Sequence, residues 1–308
     1  MNRILLRIPA TTANVGPGYD IFSMALAEPY DELEIKLNDS NKINITIEGS
    51  QNNNIPVRVE DNSGGLAALE LLKRKNIKQG IELKLIKKMP SGCGLGTTGA
   101  TAAGTLYGLN ELLGLNMQSD EMIEYARFGE IASGGSPHAD NVASALLGGF
   151  VLVKSYNPIE VLKIDVPEIY AVITVIKKGL RTTRGFITYE IGQEKLKEQM
   201  ARCSRVIHSL LTGDVAEFGA AVSVDHIAEP VRGAAIPAYF ESKKTIIDGG
   251  AYGCTISGGG SSVISFCTKE LQDKMMDIMY KAFGNNPNFI TIIKTRTSNK
   301  GVTVIEKS

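Results

Sequence analysis

Apolar and polar residues alternate in several short runs of this chain. Ile4 to Ile8, Leu33-Ile35-Leu37, Ile43-Ile45-Ile47 and Ile81-Leu83-Leu85 place apolar side chains two apart, the period of a strand with one face buried. The runs around Leu33 and Ile43 are expected to lie antiparallel in a sheet. A longer period follows. Leu66, Leu69 and Leu72 form one stripe and predict a helix over 66–73, and the small-residue segment from Thr98 to Leu113 predicts a second. Gly104 and Gly108 stand four apart there, with Ala100 in the same row. Each glycine costs a helix about 1 kcal/mol relative to alanine, so the row predicts close backbone packing. Ser119, Asp120 and Glu121 open a third helix with a cap and first-turn acids. Glu130 falls on its apolar face with Ile123 and Ala126, where a carboxylate needs a partner.

Strand-like Phe150 to Lys154 and Val161 to Ile164 close the first half, with a boundary near Pro167. The second half opens on a continuous apolar strand, Tyr170 to Ile176. Helical patterns follow at 194–211, 215–226 and 238–247, and strands at 252–256 and 263–266. A helix near Leu271 to Phe283 and strands at 290–294 and 302–305 are expected to complete this half. The 308 residues are enough for two cores.

Composition then narrows the function. Thirty-three basic residues face thirty-three acidic ones, so no global field recruits nucleic acid or an anionic membrane, and any anion site must be local. Cys93, Cys203, Cys254 and Cys267 are scattered without a Cys-x-x-Cys pair, which argues against zinc or a disulfide framework and for a reducing cytoplasm. The amino end lacks the pattern of a signal peptide, and no apolar run approaches the ~20 residues of a membrane span.

The local anion site is expected at Met89-Pro90-Ser91-Gly92-Cys93-Gly94-Leu95-Gly96-Thr97-Thr98-Gly99-Ala100, between the Ile81 strand and the Thr98 helix. Gly92, Gly94, Gly96 and Gly99 allow positive φ and bring backbone N–H groups close to an anion. Thr97 and Thr98 are expected as helix N-caps, and the helix start favours a phosphate. No lysine precedes either threonine, so this is not a Walker loop. A dinucleotide loop fits poorly, because a helical segment and not a strand comes next. A glycine-rich helix entry with no ligand remains open on this loop alone.

Two further stretches change that balance: Pro9-Ala10-Thr11-Thr12-Ala13-Asn14-Val15-Gly16-Pro17-Gly18-Tyr19-Asp20 and Gly253-Cys254-Thr255-Ile256-Ser257-Gly258-Gly259-Gly260. With the central loop they resemble, in order and spacing, the three motifs of the GHMP kinases. Pro137-His138-Ala139-Asp140-Asn141-Val142-Ala143, Leu146 to Phe150 and Asp225 to Arg232 resemble segments of the branch that phosphorylates homoserine. The likeness runs from about Ile4 to Phe266. It implies an α+β, two-domain GHMP kinase fold: a ribosomal protein S5 domain 2-like half over 1–167 and a ferredoxin-like half over 168–308. It also implies transfer of the γ-phosphate of ATP to the side-chain hydroxyl of L-homoserine, giving O-phospho-L-homoserine for threonine biosynthesis. A GHMP kinase for another small hydroxy acid and a catalytically silent binding protein of the same fold are the alternatives.

The resemblance also assigns residues. The loop from Pro90 to Ala100 holds the nucleotide phosphates, Thr98 and Glu130 hold Mg²⁺, and the adenine lies near Asn62 and Lys87. By residue type alone, the last two could be an ordinary cap and a surface lysine. Asn14, Asp20, His138, Asp140, Asn141 and Gly258, Gly259 and Gly260 line the substrate side, with Arg184 or Arg181, and Arg232, on the carboxylate. A zwitterionic amino acid wants an acid for its ammonium and a guanidinium for its carboxylate, and Asp20 with Arg184 and Arg232 supplies both. Asn141 stands where several GHMP kinases place an aspartate base. An amide takes no proton at neutral pH, so catalysis is expected to rest on positioning and charge neutralisation. His208 and His226 are read as structural, and the family's habit implies a homodimer. Ser261 in place of a proline, Thr97 and Thr98 in place of serines, and Ile187-Thr188 in place of Leu-Pro depart from the family pattern.

Overall fold

The computed structural model of the chain describes residues 2–50, 55–134, 136–177 and 189–308. The first half runs β1 (Arg3–Ala13), β2 (Phe22–Asn38), β3 (Ile43–Glu48), α1 (Ser63–Lys75), β4 (Gly80–Ile86), α2 (Thr97–Leu113), α3 (Ser119–Ala126), α4 (Ile131–Gly134), α5 (Asp140–Leu147), β5 (Phe150–Tyr156) and β6 (Ile159–Ile164). The second runs β7 (Tyr170–Ile176), α6 (Gln193–Thr212), α7 (Val215–Val222), α8 (Glu229–Ala234), α9 (Tyr239–Asp248), β8 (Gly253–Ile256), β9 (Val263–Cys267), α10 (Gln272–Phe283), β10 (Phe289–Arg296) and β11 (Thr303–Lys307).

Strands β11-β1-β2-β4-β3 form one sheet, which β5 and β6 extend from the start of β2. Strands β10-β7-β9-β8 form the other. The β2 strand is antiparallel to β1 and β4, but β3 is parallel to β4. The reason is the crossover: α1 carries the chain back along the sheet, so β4 starts from the same end as β3. The strand expected to complete the second half does not stay there. Residues Thr303–Lys307 pair with β1, Ile4 opposite Lys307, and so cover an edge of the first sheet that would otherwise present unpaired backbone.

The glycine row of α2 packs as its spacing predicts. A Cβ on Gly104 would fall 2.1 Å from Ile8 Cδ1, and one on Gly108 would fall 2.5 Å from Ile35 Cδ1, so the helix lies directly on β1 and β2. One apolar core runs from these strands into the second half through Ala171, Ile173 and Val175. Val172 and Ile176, on the other face of β7, join a second cluster with Ile246, Met275 and Met279 of α9 and α10. Burial on both faces explains why β7 reads as an apolar run interrupted only at Thr174.

Candidate active site

The central loop leaves β4 and enters α2 with Gly92, Gly94 and Gly96 at φ of 72°, 80° and 64°. Gly96 is the N-cap of α2, and no side chain caps that helix. This corrects the expectation for Thr97 and Thr98, which already lie in the first turn. A helix start without a side-chain cap suits an anion. Pro90, Cys93 and Leu95 are buried while Ser91 and Gly92 are exposed, so anchors and open backbone share one short stretch. Gly99 is helical and is needed for space. A Cβ there would lie 2.9 Å from Glu130 Oε1 and 3.0 Å from Asn141 Cβ. That places the buried Glu130 carboxylate and Asn141 against the first turn of α2 at Gly99. Glu130 reaches this position from a 3₁₀ turn, Arg127–Glu130, because α3 ends at Ala126 and does not continue as one helix.

The first and third glycine stretches close on this loop. Thr11 N–H donates to Leu95 O at 3.1 Å. Ser257 Oγ donates to Gly94 O at 2.7 Å and lies within hydrogen-bond distance of the Thr12 hydroxyl at 3.0 Å. A Cβ on Gly260 would sit 2.7 Å from Gly94 N, so the third stretch lies backbone to backbone on the second. Gly258 N–H donates to Ala13 O at 3.1 Å, while Gly258 O accepts Asn14 Nδ2 at 2.9 Å and Arg232 Nη1 at 3.1 Å. Ser261 donates to Ile176 O at 2.7 Å and ties the loop to β7.

In the first of these stretches, Asn14, Val15 and Asp20 hold φ of 65°, 42° and 54°. Such a conformation costs about 1–3 kcal/mol for a non-glycine residue, and it is held here by Asn14, whose Oδ1 accepts Asp20 N–H at 3.0 Å. Asn14 is 5 % exposed and bonded on both sides, so its amide organises the loop. Asp20 lies 3.8 Å from His138 Nδ1, and its carbonyl accepts Tyr156 OH at 2.7 Å. Burial and the Asp140 charge push the Tyr156 phenol upward, so it stays a donor. Arg232 donates Nε to Tyr189 OH at 3.2 Å and sits 5.4 Å from the Tyr19 ring. Asp140 Oδ1 accepts Asn141 N–H at 2.8 Å. Arg181 and Arg184 lie outside the described residues.

The chain matches the GHMP kinase N-terminal domain over residues 64–149 and the GHMP kinase C-terminal domain over 206–286. It is 36 % identical to a homoserine kinase of Methanococcus vannielii, covering 94 % of this chain and 96 % of that one. It is 33 % identical to one of Thermoplasma volcanium, covering 92 % of each. The crystal structure of homoserine kinase from Cytophaga hutchinsonii superposes at a TM-score of 0.89 and 35 % identity, over 99 % of this chain and 98 % of that one. The chain belongs to the homoserine kinases, in the GHMP kinase superfamily. At 15 % identity and a TM-score of 0.66, Leishmania major mevalonate kinase in complex with R-mevalonate shares the fold.

Around these homoserine-kinase motifs the structure adds residues that the sequence alone left unassigned. Asn62 caps α1, its Oδ1 accepting Gly64 and Gly65 N–H at 3.0 and 3.3 Å. Lys87 is no surface lysine: it is 3 % exposed and ion-paired with Asp31 of β2. Its ammonium also donates to Thr97 Oγ1 and Thr101 Oγ1, which occupies its full set of donors. Gln199 of α6, 3 % exposed, donates to Pro17 O at 2.7 Å and Asp225 Oδ1 at 2.9 Å. Asp225 in turn accepts Ile227 and Glu229 N–H at the start of α8, the helix of Arg232. An acid within a strand and a glutamine on a charged helix give no local signal for these roles. Only the tertiary contacts reveal them.

Proposed function

We propose that this homoserine kinase transfers the γ-phosphoryl group of ATP to the side-chain hydroxyl of L-homoserine. The observation that carries the reading is the Gly258 carbonyl, which accepts from Asn14 and Arg232 while its neighbours pack on Gly94. One short loop thereby sets Asp20 and Arg232 at a fixed distance from the phosphate loop. In this reading Asp20, with His138 beside it, receives the substrate ammonium and Arg232 receives the carboxylate. The backbone N–H groups from Ser91 to Gly99 and the start of α2 receive the triphosphate.

The residues beside that helix start fit magnesium. Thr98 and Glu130 offer a hydroxyl and a carboxylate, hard oxygen donors of the kind Mg²⁺ takes together with phosphate oxygens. When bound, the ion would neutralise charge on the β- and γ-phosphates. Asn141 orients the acceptor alcohol and removes no proton, which a loose phosphoryl-transfer transition state tolerates. The enzyme is read as cytoplasmic and as a homodimer. Its four cysteines are free, and among the described residues no helix is long and apolar enough to cross a membrane.

A coupled ADP-release assay with L-homoserine and a panel of other small hydroxy acids tests this reading. Turnover is expected to need magnesium, to favour homoserine and to be lost in Glu130→Gln. A folded protein that releases no ADP with homoserine at any magnesium concentration would overturn the proposal, and turnover with another acid alone would redirect it.

A further inference from the structure

Asp31 stands in the middle of β2 with its side chain 3 % exposed. Its Oδ1 accepts the backbone N–H groups of Lys88 at 2.7 Å and Met89 at 2.9 Å. Its Oδ2 accepts Thr97 Oγ1 at 3.1 Å and pairs with the Lys87 ammonium. Lys88 and Met89 are where the chain leaves β4, and Thr97 is where it enters α2. Both ends of the phosphate loop are therefore fastened to one carboxylate. Lys87 supplies the countercharge, without which a carboxylate this deeply buried would be costly.

We propose that Asp31 is a positioning residue for phosphoryl transfer, holding the loop at the span that aims its backbone N–H groups at the nucleotide. The proposal rests on the reading that this loop binds nucleotide phosphates. Donors stabilise a developing charge well only when they are aimed beforehand. The glycines at 92, 94 and 96 give the loop little stiffness of its own; its middle is held at Gly94 and Leu95, and Asp31 is what fixes its two ends. Lys87 belongs to the same device. Its donors go to Asp31, Thr97 and Thr101, so its part is to neutralise and brace and not to meet the adenine.

The test compares Asp31→Asn/Lys87→Met, which removes both charges together, with Thr97→Val, which cuts only the far tie, and with Thr97→Ser, which keeps the hydroxyl. Calorimetric affinity for magnesium and a non-hydrolysable ATP analogue is expected to fall about tenfold or more in the double variant, ~1.4 kcal/mol per tenfold. It should fall less in Thr97→Val and return in Thr97→Ser, while KM for homoserine stays within about twofold throughout. Wild-type nucleotide affinity in the folded double variant and in Thr97→Val would overturn the proposal. Should the double variant not fold, the Thr97 pair decides alone. If the unmodified enzyme gives no heat with the nucleotide, the reading of the loop fails and not the part given to Asp31.

Discussion

The Thr11 hydroxyl donates to Asn141 Oδ1 across 2.7 Å and so joins the end of β1 to the start of α5. Gly96 lies against both, since a Cβ there would fall 1.8 Å from Thr11 Oγ1 and 2.6 Å from Asn141 Oδ1. Asn141 thus has its carbonyl oxygen engaged by a neighbour and carries no basic group. Its orientation is fixed from β1, which also touches the glycine loop before α2 through Leu95.

From that arrangement kcat is expected to show no acid limb belonging to residue 141. Thr11→Val frees the amide and should lower kcat several-fold, in line with the ~1 kcal/mol of one hydrogen bond. Affinity for the nucleotide should change less. Steady-state kinetics across pH decide it. A collapse of kcat in Asp140→Asn with homoserine binding intact would point instead to a carboxylate base.

Gly99→Ala separates helix propensity from the metal role proposed for Glu130. The added methyl favours the helix by about 1 kcal/mol, yet it meets Glu130 Oε1 at 2.9 Å and Val142 N at 3.1 Å. The magnesium concentration giving half-maximal rate is expected to rise about tenfold, ~1.4 kcal/mol. An unchanged magnesium titration would detach Glu130 from the metal.

The contrast between Gly99 and Lys87 shows what the sequence could tell. The strand, glycine loop and helix around residue 92 follow from periodicity, because alternation and small-residue rows are local properties of the chain. Asp31, Lys87 and Gln199 were opaque for the opposite reason. Asp31 meets Lys88 across 57 positions of sequence, Lys87 meets Thr101 across 14 and Gln199 meets Asp225 across 26. An isolated charge or amide looks the same in sequence whether it is solvated or buried. The parallel pairing of β3 was hidden likewise, since alternation fixes which face is buried but not strand direction.

Burial pushes the Cys93 thiol from its ordinary 9.0 up to about 11, Cys203 and Cys267 likewise to about 11, and Cys254 to about 12. A raised value means the folded state keeps these protons while the unfolded chain releases them. Stability from these groups is intact below pH 9 and declines as pH rises toward 11. Denaturant midpoints at pH 8, 9.5 and 10.5 should fall in that order. At pH 8 Cys93 carries roughly a thousandth of its thiolate, so iodoacetamide is expected to leave activity intact despite the position of Cys93 in the phosphate loop. Rapid inactivation at that pH, protected by nucleotide, would show that the thiol is open and ionised.

Gln199 offers the sharpest separation of the two substrates. Its amide joins Pro17, in the loop that carries Asn14 and Asp20, to Asp225, which caps the helix of Arg232. His226 N–H completes the link by donating to Gln199 Oε1 at 2.7 Å. The groups proposed for the substrate ammonium and carboxylate therefore share one buried ruler, whose hydrogen bonds among the described residues go to Pro17, Asp225 and His226 and not to the glycine loop before α2. Gln199→Leu keeps the volume but removes the donors and the acceptor, leaving the Pro17 carbonyl and the Asp225 carboxylate each short of a partner. KM for homoserine is expected to rise about tenfold while KM for ATP stays within about twofold, a split that global destabilisation would not produce. Gln199→Glu keeps the acceptor for His226 but not the donors, and places a second carboxylate beside Asp225, so it should be at least as impaired as the leucine variant. Equal increases in both KM values would mean that Gln199 supports the fold as a whole and sets no distance between Asp20 and Arg232.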